Sequence, residues 1–393
     1  MIGVEARPGA WPTPLQEDLL TATLAGPARA LAAYRRWQSE VDLRRVDTGT
    51  YGLLPLLYLN LHEQTDDPLM KRLKGLYRMT WYKNRVLLAA GAKAVARLER
   101  AAVPTLILKG GALIFTCYPR AGARLIGDLD ILVRGEHGRR AIGLLREAGF
   151  AAKGEWPLPL ERMPEVWHAI GLEGPEGSFV DLHWQALRDP GQASLDDDLW
   201  AAAMPFELAG QPTRTLCPSD QLFHICFHGV EWSPHPPIRW VADAAMIVRS
   251  AGQRLDWDRL LELTLRHGGV PTLERALSYL RDRFEVPVPD RVIRHLEQAP
   301  AGRRARLMHR FRLRNDALSR LGLHYLHYRS TPLCRRSYLP LVGFARYLRV
   351  IWQVSRPWQL PLQVAARSWR RLAGWASASA GGEATGPPPE EQA

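Results

Sequence analysis

The sequence predicts an α+β fold, with a small mixed β-sheet core between helical N-terminal and C-terminal regions. Apolar residues recur at helical spacing towards both ends of the chain, while strand-length apolar runs gather in the middle. Two of those runs flank Glu173-Gly174-Pro175-Glu176-Gly177, a Gly/Pro turn of the kind that closes a hairpin. With 393 residues, 46% hydrophobic and 23% charged, the chain can bury a sizeable core and is neither collagen-like nor wholly disordered.

Residues 1–100 read as a helical N-terminal region. Helical spacing runs through Leu15 to Trp37, and again from Pro68 to Ala102 behind a cap at Asp66 or Asp67. The next segment, 101–205, reads as the core. Val103 to Leu108 is a strand-length run, Lys109-Gly110-Gly111 punctuates it, and Ala112 to Tyr118 follows as one short helix. Asp128 to Val133 reads as a second strand, and Glu136 to Ala148 as an amphipathic helix ended by Gly149. Val166 to Leu172 and Ser178 to Trp184 form the hairpin. From 206 to 376 the chain reads as helical and arginine-rich, with Ser219 as an N-cap and further helices at Ile238 to Arg249, Asp256 to Arg266, Pro271 to Phe284 and Asp290 to Gln298. The Gly/Pro/Glu-rich tail, 377–393, is expected to be disordered, and no solenoid-period repeat occurs.

The cysteines Cys117, Cys217, Cys226 and Cys334 are scattered and form no zinc or disulfide framework. No basic stretch leading into an apolar one opens the chain, so a reducing, cytoplasmic setting is expected. The best apolar run, Ser337 to Ala345, stops at Arg346, far short of the roughly 20 residues that span a bilayer, and a transmembrane protein is excluded. The net charge of +12 is uneven. Residues 301–376 hold sixteen arginines, no lysine and a single acid, Asp316. Such a block suits phosphate, so nucleic acid or a membrane surface is an expected contact, against the plainer reading of solvated helices. Trp352, Trp358, Trp369 and Trp375 sit among these arginines, where they could stack on bases or lie at a membrane surface, or simply fill a core.

The chemistry concentrates in Leu108 to Val133. On a strand, residues i and i+2 face the same way, so Asp128 and Asp130 project together. Two like charges held so close call for a cation, and hard divalent ions with oxygen ligands, Mg²⁺ or Mn²⁺, are the usual answer. Asp181, on the second hairpin strand among apolar neighbours, is the candidate third acid, since a buried carboxylate needs a partner. Three acids around one or two ions would orient a nucleoside triphosphate and activate an attacking hydroxyl. Gly110 and Gly111 would let backbone amides approach phosphate, and Lys109, Arg120 and above all Arg124 lie near enough to neutralise it.

This constellation resembles the DNA polymerase beta-like nucleotidyltransferase superfamily, marked by a Gly-Gly or Gly-Ser turn, an acid-apolar-acid strand and a third acid on a later strand. Gly110 and Gly111 match the glycines, Asp128 and Asp130 the metal-binding pair, and Asp181 the third acid. More narrowly, LKGGAL, YPRAGARLIGDLDILV and VDLHW look like the uncharacterised bacterial nucleotidyltransferase family often met beside biosynthetic gene clusters, and HICFHG and IRWVADAAMIV look like its helical half. The resemblance covers roughly residues 80–260. It implies a nucleotidyltransferase core whose helical C-terminal region forms the far wall of a cleft, and transfer of a nucleoside monophosphate from an NTP to an acceptor with release of pyrophosphate. The acceptor stays open among small molecule, peptide, protein and RNA. One departure is the sixteen residues between Gly111 and Asp128, more than the superfamily's common spacing.

Other residues favour structural readings. His183, offset by two from Asp181, could face the same site or simply pair with a backbone group, with a structural role favoured; His224 and His228 are expected to pack or line a substrate site, and Asp243 to pair with Arg239 or a histidine. The rival functions are a metal-dependent glycosyltransferase and a non-enzymatic accessory protein. No P-loop lysine or nucleophile-elbow serine is present.

Overall fold

The computed structural model describes residues 11–152, 156–188, 193–230, 238–314, 316–354, 356 and 358–360. The tail expected at 377–393, Trp369 and Trp375 lie outside the described residues. Four helices come first: α1 (Pro14–Leu24), α2 (Pro27–Glu40), α3 (Thr48–Leu61) and α4 (Leu69–Arg100). The helical stretch expected from Leu15 to Trp37 is broken at Gly26, where Pro27 opens a new helix. Thr13 and Gln16 form a capping box on α1. Asp67 accepts from the Leu69 amide at 2.8 Å and so anchors the start of α4.

The core follows as β1 (Thr105–Ile107), α5 (Lys109–Thr116), β2 (Leu129–Val133), α6 (Gly138–Glu147), β3 (Ala151–Ala152), β4 (Ala169–Glu173), β5 (Phe179–His183), α7 (Ala193–Ala201), β6 (Met204–Leu208) and β7 (Gln211–Thr215). These strands make one mixed sheet in the order β3-β4-β5-β2-β1-β7-β6. The β4–β5 hairpin lies where the sequence places it. The β6–β7 hairpin is an addition, because helix was expected beyond Pro205 and the sheet in fact runs on to Thr215. Its two-residue turn, Ala209-Gly210, has φ of +47° and +85°, the left-handed pair that suits a hairpin. The helix α5 also starts earlier than expected, so Gly110 and Gly111 sit in its first turn rather than before it.

Among the described residues, nine helices follow: α8 (Pro218–Val230), α9 (Arg239–Ala251), α10 (Trp257–Arg266), α11 (Val270–Phe284), α12 (Asp290–Gln298), α13 (Arg303–Leu313), α14 (Ala317–Ser330), α15 (Pro332–Arg335) and α16 (Pro340–Ile351). Ser219 lies inside α8 and donates to the Asp256 carbonyl at 2.7 Å instead of capping. Among the described residues, no helix is long and apolar enough to cross a membrane.

Strand alternation divides the interior into two apolar clusters. Leu129, Ile131 and Val133 of β2 and Val180 and Leu182 of β5 belong to one, with α4, α6 and parts of α14 and α16. The opposite face carries Leu106, Leu108 and Leu132 and packs towards the helices of the N-terminal region and α8–α12. Asp130, Asp181 and His183 alternate onto this second face.

Tight contacts hold β2 between helices. A Cβ on Gly91 of α4 or Gly111 of α5 would run into the Leu129 side chain, and one on Gly110 into Arg124 and Ile126. Glycine is therefore required at these positions by packing. Asn84 of α4 donates to the carbonyls of Ala121 and Arg124 at 2.7 Å each and accepts from the Ile126 amide, fixing the loop that delivers Asp128. On the far side of β5, Asp196 of α7 accepts from the Ala186 amide at 2.8 Å.

Burial lifts the Asp196 carboxyl from 3.8 to about 7. Between those values the folded chain keeps a proton that the unfolded chain releases, so stability falls as pH rises from about 4 to 7. Asp196→Asn keeps the accepting oxygen and should flatten that limb, stabilising the protein by about 1–2 kcal/mol at pH 8 once partial solvent screening is allowed for. Urea midpoints of both proteins across this pH range check it, and parallel profiles would refute it.

Candidate active site

Parallel pairing of β2 with β5 sets Asp130 directly opposite Asp181 and Leu132 opposite His183. Asp128 lies in the bend one residue before β2, so the acid pair straddles the strand's start. Asp130 and Asp181 are thus brought together, whereas Asp128 is not among the ligand atoms that gather with them. The His183 Nε2 sits 3.1 Å from Asp130 Oδ1 and 3.0 Å from Asp181 Oδ2. Of the two placements weighed for His183, the structure has the one that faces the acids, so it pairs with two carboxylates rather than with a backbone group. Its position two residues beyond Asp181 was the available signal, since both must face the same way.

Lys109 closes the cluster. It is half-buried, its Nζ lies 2.6 Å from Asp130 Oδ1, and its backbone holds φ of +45°, a left-handed conformation uncommon for a side-chain-bearing residue. That strain turns the chain from β1 into α5 and aims the lysine at the acids. No side chain caps α5, and its first-turn amides, which include those of Gly110 and Gly111, have no partners within the helix.

The electrostatics follow from burial and sign. Burial alone would protonate Asp130, but the charge of Lys109, then the hydrogen bond and charge of His183, hold its carboxyl well below the usual carboxylate range. Asp128 has no such close partner. Burial first, then the charge of Asp130, push it up to about 6, with Lys109 opposing. Burial disfavours a charged His183, yet the Asp181 charge and hydrogen bonds to both acids outweigh it and raise the imidazole to about 9. Lys109 is likewise raised, its burial overcome by Asp130, Asp181 and Asp128.

Other histidines surround this charged centre in neutral form. His168 lies 5.6 Å from His183, ring to ring, and burial drives it well below 6.5. His224 of α8 donates from Nε2 to the Ala186 carbonyl at 2.9 Å, and burial takes it down to about 3. The Lys109 charge, first, depresses His228, whose ring is 6.0 Å from that of His224. His224 is buried, in keeping with the packing expected of it, whereas His228 is exposed; His168 is an addition that the sequence reading did not single out.

Arg124 takes a different place from the one expected. Its Nε and Nη2 donate to the two oxygens of Asp243 at 2.7 and 2.8 Å, and the Tyr118 hydroxyl donates to the same carboxylate at 2.6 Å. A buried guanidinium so engaged is a strut between the loop before β2 and helix α9. The expected Asp243 pairing with Arg239 or a histidine is corrected accordingly, and Arg239 instead donates to the Leu125 carbonyl at 3.0 Å.

Ligand atoms of Asp130, Asp181 and His183 all lie within 4.8 Å of one another, close enough to share one cation. The two carboxylates offer the oxygen ligands that a hard divalent ion takes, His183 Nε2 being engaged by both, and the lysine ammonium against Asp130 already shows the cluster's demand for positive charge.

A family described as uncharacterised nucleotidyltransferase matches residues 49–285. No curated protein matches. Among solved structures, the antibiotic-resistance factor ANT(2'')-Ia aligns at 14% identity and a TM-score of 0.32, covering 50% of this chain and 97% of its own. An antigenic nucleotidyltransferase-like protein from Paracoccidioides brasiliensis aligns at 15% identity and a TM-score of 0.36, covering 53% and 96%. The family match takes in all of the acids, the α5 glycines and the α8–α9 wall, and with more than half of its residues inside that match the chain belongs to the uncharacterised nucleotidyltransferase family.

Proposed function

We propose that the protein transfers a nucleoside monophosphate from an NTP to an acceptor hydroxyl and releases pyrophosphate, in the manner of the DNA polymerase beta-like superfamily. What supports this reading is the register that sets Asp130 opposite Asp181 on the sheet face that looks into the helical half, with Asp128 one residue before the strand and an uncapped helix start nearby. Asp128, Asp130 and Asp181 would hold Mg²⁺ or Mn²⁺. When bound, such an ion supplies charge neutralisation for the triphosphate and acidifies the attacking hydroxyl.

The chain's own residues divide the remaining work. The Gly110 and Gly111 amides, at the positive end of α5, would take phosphate oxygens. Lys109 would exchange Asp130 for the triphosphate as the nucleotide enters. Arg124 supports this from behind, since its ion pair with Asp243 fixes the segment against which Gly110 packs. Asp181 is the most exposed of the charged pairings at this centre, which suits it to orient the acceptor hydroxyl and receive its proton. Positioning and charge neutralisation together supply the catalysis. His183 holds Asp130 and Asp181 in mutual register.

Incubation with each labelled NTP, Mn²⁺ and cell extract, read by mass spectrometry, should show a nucleotide-sized mass gain on an acceptor. Asp128→Asn combined with Asp130→Asn should lower that transfer at least about a hundredfold. Transfer that survives the double variant refutes the assignment, and turnover of a nucleotide sugar instead would favour a glycosyltransferase. A second test uses the lysine. Because Lys109 competes with a cation for Asp130, Lys109→Met should bind Mn²⁺ more tightly in the absence of nucleotide yet transfer more slowly with it. Calorimetry and turnover measured together check this, and unchanged Mn²⁺ affinity would sink it.

A further inference from the structure

Outside the family-matched residues, the C-terminal helices carry a feature that nucleotide chemistry does not account for. The connection from α15 into α16 projects as a knuckle. Tyr338 is fully exposed, and Leu339, Leu341 and Val342 are 65%, 78% and 47% exposed. Single apolar residues are normal on a protein surface, but four large ones within five consecutive positions are not.

The knuckle is rigidly based. A Cβ on Gly343 would run into Tyr328 and Ser337, the Ser337 hydroxyl donates to the Leu333 carbonyl at 2.7 Å, and that of Thr331 to the Tyr328 carbonyl at 2.7 Å. Tyr328 and Tyr347 beneath it are fully buried. The apex is thus displayed by a packed scaffold.

Its rim is basic. Arg335, Arg336 and Arg346 flank the apex and are exposed. From Ala317 to Gly382 the sequence holds ten arginines and no carboxylate. One acid from elsewhere, Glu165, reaches the rim at 3.4 Å from Arg336, and it is shared with Arg139 and Arg162.

We infer that this knuckle docks the protein on an anionic lipid surface, Leu339, Leu341 and Val342 entering the interface and the arginines meeting lipid phosphates. Tyrosine at the apex suits the headgroup level. Leu339, Leu341 and Val342 have no π-face on which bases could stack, so three of the four large side chains at the apex gain nothing from nucleic acid and gain much from hydrocarbon. An apolar tip within a basic collar is the pattern by which peripheral proteins combine insertion with attraction to anionic lipid.

Flotation of the full-length protein with vesicles tests the proposal. Binding is expected to vesicles of phosphatidylcholine mixed with phosphatidylglycerol, to weaken as salt is raised, and to be slight on pure phosphatidylcholine. Leu339→Ser with Leu341→Ser should reduce partitioning about a hundredfold, roughly tenfold for each leucine, without altering the circular dichroism, because both side chains already face solvent. Arg335→Gln with Arg346→Gln should remove the preference for anionic vesicles while leaving the apex intact. Failure of the wild type to float with anionic vesicles, or equal flotation of the leucine variant, overturns the inference. So does self-association in the absence of lipid that the leucine variant abolishes, since the knuckle would then be a protein contact.

Discussion

Charge balance on one dry face of the sheet governs this protein. Parallel pairing places Asp130 beside Asp181, and Asp128 enters one residue before the strand, so three carboxylates share a region where water is scarce. Alone they would repel or protonate. Lys109 and His183 answer two of them, each within hydrogen-bond reach of Asp130. The left-handed turn at Lys109, the glycine start of α5 and the placement of His183 one alternation beyond Asp181 all serve this electrostatic requirement. Among the described residues no hydrogen-bonded cation answers Asp128, which makes the cluster receptive to a further positive charge.

Close packing maintains the arrangement. Leu129, between two of the acids, is gripped from both sides by helices that come near enough only because Gly91 and Gly111 lack side chains. Asn84 stitches the preceding loop to α4, while Arg124 and Asp243 tie the same loop to α9 through the interior. The ion pair is buried, so its value lies in geometry: removing either partner would leave a naked charge in the core. A helix on one side and a guanidinium on the other thus hold the acids to the strand.

Much of this could be read from residues alone, where a local pattern had a single physical meaning. The Asp-apolar-Asp alternation, the Gly/Pro hairpin turn and the amphipathic helix ending at Gly149 all appear near their expected places. Other elements carried no such pattern. Helix α3 is apolar all round and holds both glycine and proline, so it shows no periodicity, and tertiary burial decides its form. The β6–β7 hairpin turns on Ala-Gly rather than a stronger turn pair, and its strands are short and partly exposed. The partners of Asp243 lie more than a hundred residues away in sequence, beyond the reach of local spacing. Gly110 and Gly111 were legible as special, but their reason in the structure is contact with Arg124, Ile126, Ile107 and Leu129 as well as access for an anion.

The strand order has a consequence for how the molecule comes into being. Neighbours at the centre of the sheet are far apart along the polymer: β5 joins β2 across about fifty residues, and β7 joins β1 across more than a hundred. Such non-local closures are slow steps, because loop entropy is lost before any contact compensates. The acids meet only when β5 docks, and their mutual repulsion opposes docking until the lysine is seated. The acid cluster should therefore assemble late, after the helices have formed, so that a nascent chain emerging from the ribosome lacks it until its sheet has closed.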